Sequence, residues 1–227
     1  MNLKYFCDQY NPSLILLSEP QAFQCDIALH TQPFNGRYCF LLNSEETSNP
    51  DLAMESRRAH GGTMIMWKTD LDPFITPLPT LSPSFLPVYL NIPGFSPSIH
   101  IALYLPTSGK DPDFVSALSQ LDVFLEEVAV THHCPVFIRG DANCNPRNLP
   151  RVSLLEHFCS KFNFVSIEFD HPSHHHFTGN GVHDAQLDVL LHQSDTPEQL
   201  LKIVCKLSHP LVDSAHDVIL SSCRLKP

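Results

Sequence analysis

Pro135-Val136-Phe137-Ile138-Arg139-Gly140-Asp141-Ala142-Asn143 is the stretch on which the reading of this chain turns. Val136-Phe137-Ile138 has the apolar, β-branched character of a buried strand, and the strand stops in Gly-Asp-x-Asn. Gly, Asp and Asn favour turns for their own reasons, so taken alone this is an Asx turn. Set against the rest of the chain, it is one of several strand ends that carry acids, amides or imidazoles. Leu14–Leu17 runs into Ser18-Glu19-Pro20, Leu187-Asp188-Val189-Leu190-Leu191 holds an acid inside an apolar run, and His216 stands at the head of Val218-Ile219-Leu220. A carboxylate in an apolar strand is costly unless it is paired or binds a metal. Ligands and reacting groups gather at strand ends and in the loops after them, where a sheet fixes their position.

Outward from this stretch, strand-like runs dominate. Ser13–Glu19, Tyr38–Asn43, Gly62–Lys68, Pro87–Ile92, Ser98–Pro106, Pro135–Gly140, Phe164–Phe169, His174–Thr178, Gln186–His192 and Asp217–Leu225 are short, β-branched or aromatic, and bounded by turns. Ile99, Ile101 and Leu103 alternate with His100, Ala102 and Tyr104, as in a half-buried strand. Phe114, Ala117, Leu118, Leu121, Phe124, Leu125 and Val128 predict a helix capped at Asp113. Ser153 with Glu156 predicts a capping box before Leu154, Leu155, Phe158 and Phe162. Thr196, Pro197 and Gln199 predict another helix start, before Leu200, Leu201, Val204 and Cys205. A short first helix fits Leu3, Phe6 and Tyr10. About ten strands and about four helices predict an α+β sandwich, two packed sheets flanked by helices.

Composition narrows the function classes. Of the 227 residues 43% are hydrophobic and 17% charged, enough to bury a sizeable core. Fourteen Lys+Arg against 24 Asp+Glu leave a formal charge of -10, which excludes a basic nucleic-acid clamp. An acidic enzyme reaches a phosphate when a divalent cation supplies local positive charge. The eight cysteines form no CxxC and show no zinc-finger spacing, so free thiols in a reducing compartment are expected. No apolar run approaches the ~20 residues of a membrane span, and Met1 is followed by Lys4 and Asp8 instead of an apolar leader. A soluble monomer of the nucleus or cytoplasm, not secreted and without membrane contact, is the expectation. Arg57, Arg58 and His60 form the one local basic patch, which reads as a surface loop, with a phosphate contact as the alternative. His171, His174, His175 and His176 read as a substrate-facing loop and strand sooner than as a separate metal site.

Glu19 after its strand, Gly61-Gly62 before Thr63–Trp67, Tyr104-Leu105-Pro106, Gly140-Asp141-Ala142-Asn143, Thr178…Leu187-Asp188 and Ser214-Ala215-His216 together resemble the endonuclease/exonuclease/phosphatase superfamily. The matched segments run from about residue 11 to 221. Their spacing, with a helix just before the Gly-Asp-x-Asn strand, is most similar to the endonuclease domains of LINE-type (non-LTR) retrotransposons, which resemble apurinic/apyrimidinic endonucleases and the pancreatic-type DNase. The resemblance implies a DNase-I-like four-layer sandwich over residues 1–227 as one domain. The family's pattern opens with a further strand bearing an Asn, and Asn2 lies too close to Glu19 to be that residue, so an N-terminally truncated domain lacking the first strand is expected.

The resemblance also implies a mechanism. Glu19, Asp141 and Asn143 would hold Mg²⁺, with Mn²⁺ as a substitute. Asp141 would orient or deprotonate the attacking water, and Asn143 would donate to a phosphate oxygen or to the water. His216, as imidazolium paired with Asp188, would stabilise charge on the scissile phosphate. Tyr104 would contact the phosphate or steady the leaving group, and Arg57, Arg58, Thr178 and Asn180 are candidate substrate contacts. The expected activity is nicking of DNA to 5′-phosphate and 3′-hydroxyl ends, with a reverse transcriptase as the partner domain of the parent element. Two departures stand out, the missing first strand and Ala215 in place of the acid that the family carries before its histidine; Thr107 in place of an Asn is a smaller one. The first two favour another reading, a catalytically impaired remnant or binding module of the same fold, and a different phosphatase or esterase on it is a third.

Overall fold

The computed structural model describes residues 3–20, 32–34, 36–43, 61–167, 174–178, 181–185, 187–194, 201–207 and 218–223. Helix α1 (Leu3–Tyr10) leads into strand β1 (Leu14–Ser18), and β2 (Tyr38–Asn43) and β3 (Thr63–Lys68) complete a three-stranded antiparallel sheet in the order β1-β3-β2. A second sheet contains β4 (Ile75–Pro77), β5 (Phe85–Leu90), β6 (Ser98–Tyr104), β7 (Val136–Asp141), β8 (Phe164–Ser166) and β11 (Asp188–Gln193), in the order β4-β5-β6-β7-β11-β8. Its strands are antiparallel except β6 and β7, which are parallel. Helix α2 (Asp111–Thr131) makes the crossover that a parallel pair requires. Helix α3 (Leu149–Lys161) follows β7. Two antiparallel pairs stand apart in the ladder, β9 (His174–Thr178) with β10 (Gly181–Ala185), and β12 (Leu201–Leu207) with β13 (Val218–Cys223).

The period of two sorts the apolar residues into three cores. Ile65 and Trp67 of β3 meet Leu86, Val88 and Ala102 of the second sheet, joined by Leu14 and Leu16 of β1. The alternate β3 residues, Met64 and Met66, face the other way and pack with Cys7 of α1, Tyr38 and Leu42. On the far side of the second sheet, Ile99, Ile101, Leu103, Val136 and Ile138 are covered by Phe114, Leu118, Leu121 and Leu125 of α2 and by Phe158 of α3. The result is α1, sheet, sheet and α2 with α3, a mixed α+β sandwich of four layers.

Local readings needed adjustment. The helix over 111–131 starts before Asp113, which lies in its first turn. The helix after β7 begins at Leu149 with Pro150 in its opening positions, so Ser153 and Glu156 lie inside it and form no capping box. The helix expected around Leu200–Cys205 is overturned: Leu201–Leu207 is a strand whose backbone pairs with Val218–Cys223. Ile203 and Val204 are adjacent β-branched residues, and a hairpin partner outweighs a Thr-Pro start signal that falls outside the described residues. The run Phe164–Phe169 is strand over Phe164–Ser166, with 168–169 outside the described residues, and β4 and β10 escaped the pattern because each is short and carries Pro or Gly. Among the described residues, no helix is long and apolar enough to cross a membrane, and Cys7, Cys39, Cys134, Cys144 and Cys159 are free thiols.

The inter-sheet core contains one buried imidazole. His100 is 3% exposed, with Nε2 3.0 Å from the Ser98 hydroxyl and its ring stacked on Phe137 at 5.1 Å. Burial, and secondly the Arg139 charge, push its pKa down from 6.5 to about 3. Above pH 6.5 the ring is neutral folded or unfolded and contributes nothing. As pH falls from 6.5 toward 3 the unfolded chain takes a proton that the native state refuses, and stability is lost at up to about 1.4 kcal/mol per pH unit. Urea unfolding between pH 7 and 4 is therefore expected to show a shallower acid slope in His100→Gln than in the wild type. Equal slopes would contradict this assignment.

Candidate active site at the strand ends

The ladder of the second sheet puts three predicted residues side by side. Tyr104 pairs with Asp141 across β6–β7, and Asp141 pairs with Asp188 across β7–β11. Paired residues share a face, and this face is the one turned to the other sheet, because Ala102, two before Tyr104, belongs to the inter-sheet core. Asp141 is 4% exposed, whereas Tyr104 and Asp188 are half-buried. The Asp141 carboxylate accepts the Asn143 backbone N–H at 2.7 Å on Oδ1 and the Asn143 Nδ2 at 3.0 Å on Oδ2. The same amide nitrogen donates to the Leu105 carbonyl at 2.8 Å. The Asx turn is thus real, and it is also what aims the carboxylate. Asn143 pays for its place with φ +47°, a left-handed conformation that Asn tolerates better than most residues.

Glu19 approaches from the other sheet. It is exposed, follows β1 directly, and is held at φ +46°. A glutamate there costs about 1 kcal/mol or more, a strain that concentrates at functional sites. Its N–H donates to the Gly62 carbonyl at 3.0 Å, and Gly62 itself has φ +80°, which explains the second glycine of Gly61-Gly62. Ser18, one residue earlier, donates its hydroxyl to the Leu103 carbonyl at 2.8 Å and accepts the Asp141 N–H at 3.0 Å. Gly140 lies under this contact with φ +145°. A Cβ there would fall on the Leu103 carbonyl oxygen and within 2.7 Å of the Ser18 hydroxyl oxygen.

Arg151 was missed from sequence. It is 2% exposed on α3 and fans its guanidinium over the loops that carry the site. Nε donates to Asp111 at 2.7 Å, Nη1 to the Pro106 carbonyl at 2.7 Å and to the Asn143 carbonyl at 3.2 Å, and Nη2 to the Thr107 carbonyl at 2.8 Å. The group stacks on Phe114 at 4.4 Å. An arginine on a surface-type helix has no sequence signal for burial; the nearest clue is a cation among loop residues that need a multi-donor partner. Beyond Asn143 an open groove of about 540 Å³ is lined by Ser108, Asn145, Arg147 and Asn148.

Of the remaining predicted residues, Thr178 ends β9 opposite Gly181. Arg57, Arg58, Asn180, Ser214, Ala215 and His216 lie outside the described residues. Among the described residues no three of His, Cys, Asp and Glu gather as a metal-holding group. What the strand ends do offer is the carboxylates of Glu19 and Asp141, linked through Ser18, with the Asn143 side chain bonded to Asp141. That donor chemistry fits a magnesium ion, which takes one or two carboxylates and completes its shell with water and phosphate oxygens.

Gly140→Ala tests how tightly the two sheets are locked. The added methyl meets backbone on one side and a bonded hydroxyl on the other, so a loss of about 3 kcal/mol is expected from urea unfolding. A change below ~1 kcal/mol would mean that the contact yields freely.

No protein family and no curated protein matches the chain by sequence. Solved structures do match by shape. The endonuclease domain of TRAS1, a telomere-specific non-LTR retrotransposon, superposes with a TM-score of 0.74 at 16% identity, covering 99% of this chain and 92% of that one. An endonuclease/exonuclease/phosphatase family protein from Leptotrichia buccalis gives 0.67 at 10% identity, over 99% and 91%. TDP2 of D. rerio, complexed with a single-strand DNA product, gives 0.61 at 13% identity, over 96% and 88%. The two sheets and the helices that flank them thus have the fold of these solved structures, the endonuclease domain of TRAS1 among them.

Proposed function

We propose that this protein is a magnesium-dependent phosphodiester hydrolase that nicks DNA, descended from a LINE-type retrotransposon. The observation that carries the reading is the row Tyr104–Asp141–Asp188 on one face of adjacent strands, with Glu19 brought to its edge from the opposite sheet. The similarity in fold to the TRAS1 endonuclease domain and to TDP2 with its DNA product supports the substrate class.

In this reading, Asn143 bonds both oxygens of Asp141 and so aims the carboxylate that receives the proton of the attacking water. Tyr104, one strand away, contacts the phosphate or the leaving oxygen. His216, outside the described residues, would stabilise charge on the phosphate as imidazolium, the role that the resemblance implies for it with Asp188. Glu19 and Asp141 would hold the magnesium ion, which supplies charge neutralisation at the phosphate and the leaving oxygen. That charge is needed more here than in a basic nuclease, because the chain carries a formal charge of -10 and meets a polyanion. The groove past Asn143, with Arg147 and three asparagines, is a path for the flanking backbone. The protein works as a monomer in the nucleus or cytoplasm.

Ala215 favours a second reading, a DNA-binding form of the same fold without turnover. Nicking of supercoiled plasmid with Mg²⁺ and with chelator separates the two. Metal-dependent nicking, reduced about 10²-fold or more in Asp141→Ala and in His216→Ala, is expected. A folded protein that retains plasmid in a gel shift but never nicks it would favour the second reading, and turnover of a phosphomonoester alone would place it with the phosphatases of this fold.

A further inference from the structure

β1 has apolar side chains on both faces until its last residue. Leu14 and Leu16 enter the inter-sheet core, and Ser18, next on that face, continues the row with a hydroxyl. Its rung runs Ser18–Thr63–Asn43 across the first sheet. Both ends of that rung reach the second sheet: Asn43 Nδ2 donates to the Ser82 carbonyl in the turn before β5 at 2.6 Å and to the Phe85 carbonyl of β5 at 3.4 Å, and Ser18 makes the two bonds to Leu103 and Asp141. The Ser18 bonds enter the β6–β7 ladder at the Tyr104–Asp141 pair, the rung that carries the reacting groups. Leu103 precedes Tyr104, the Asp141 amide belongs to the candidate base, and Glu19 follows Ser18 in the chain. One hydroxyl therefore touches the backbone beside three site residues on two sheets. Gly140 is bare of a side chain where that hydroxyl sits.

We infer that Ser18 is a positioning residue: its hydroxyl sets the separation of Glu19 from Asp141, and through it the affinity for the divalent cation. The inference rests on the functional reading above. Aliphatic packing alone lets two sheets slide, because apolar contact is not directional. A hydroxyl that must donate to one fixed carbonyl and accept from one fixed amide defines a distance and an angle. The cation needs near-ideal octahedral geometry, so a small error in carboxylate separation is felt as lost affinity. Alanine at 18 keeps the β1–β3 ladder and removes only the bridge. Threonine keeps the hydroxyl on a side chain suited to a strand.

The test compares wild type, Ser18→Ala and Ser18→Thr by three readouts: Mn²⁺ binding in a calorimetric titration, hydrogen exchange of the Asp141 amide, and plasmid nicking resolved into kcat and KM. Ser18→Ala is expected to bind Mn²⁺ about 10-fold or more weakly, to speed exchange at Asp141, and to lower kcat at saturating metal with KM for DNA unchanged. Ser18→Thr is expected to restore all three. A Ser18→Ala protein that exchanges Asp141 faster yet binds Mn²⁺ as the wild type does would overturn the inference while leaving the functional reading intact. So would a Ser18→Thr protein that folds and does not recover. A wild type that neither binds Mn²⁺ nor nicks would overturn the functional reading and this inference with it.

Discussion

The hydrogen-bonded bridge at Ser18 is the constraint on which the site depends. Two sheets packed through Leu14, Leu16, Ile65, Trp67, Val88 and Ala102 are held together by area, and area does not specify register. At one end of the sandwich the interior turns polar. Ser18 and Asn43 cross between the sheets there, and Gly140 gives up its side chain to let Ser18 in. Among the described residues, the candidate site gathers around that crossing: Glu19 on one sheet, Tyr104 and Asp141 on the other, Asp188 one strand further.

The same end of the molecule stores strain and buried charge. Glu19 and Asn143 both hold left-handed backbone, and Gly61, Gly62 and Gly140 take conformations open to glycine. Such positions are costly, and they persist where surrounding structure over-determines them. Arg151 is part of that surrounding structure. Its guanidinium ties α3 to the carbonyls of Pro106, Thr107 and Asn143 and to Asp111 at the head of α2. A buried cation bonded at every nitrogen costs desolvation, which its hydrogen bonds and its seat on Phe114 offset. The return is geometric: the two loops beside Asp141 and the head of α2 are bonded to one rigid fork.

How much of this was legible differs residue by residue, for physical reasons. Glu19, Asp141, Asn143 and Asp188 stood out as candidates because acids and amides at the ends of apolar strands are costly there without a partner. The strand Ser98–Tyr104 was legible because its alternation is strict, and so was α2, because its apolar stripe from Phe114 to Val128 spans about four turns. Ser18 was silent, since a hydroxyl at a strand end says nothing of a partner 123 residues away. Arg151 was silent because arginine on a helix reads as solvated. The segment after Thr196 was misread because a Pro-bearing start signal was weighed above the adjacent β-branched pair Ile203-Val204, whose strand depends on a partner seventeen or so residues on. The fold itself was readable from the ordered set of motifs, although identity to solved structures of that fold is only 10–17%.

The central claim is that Glu19 and Asp141, brought from two sheets to one place, hold a divalent cation. The most direct measurement is a crystal of the protein soaked in Mn²⁺, with anomalous differences collected at the manganese edge. The account predicts one strong peak about 2.2 Å from carboxylate oxygens of Glu19 or Asp141, which disappears in Asp141→Ala. No peak between the two sheets at saturating Mn²⁺, or a peak confined to the histidines of residues 171–176, would contradict it.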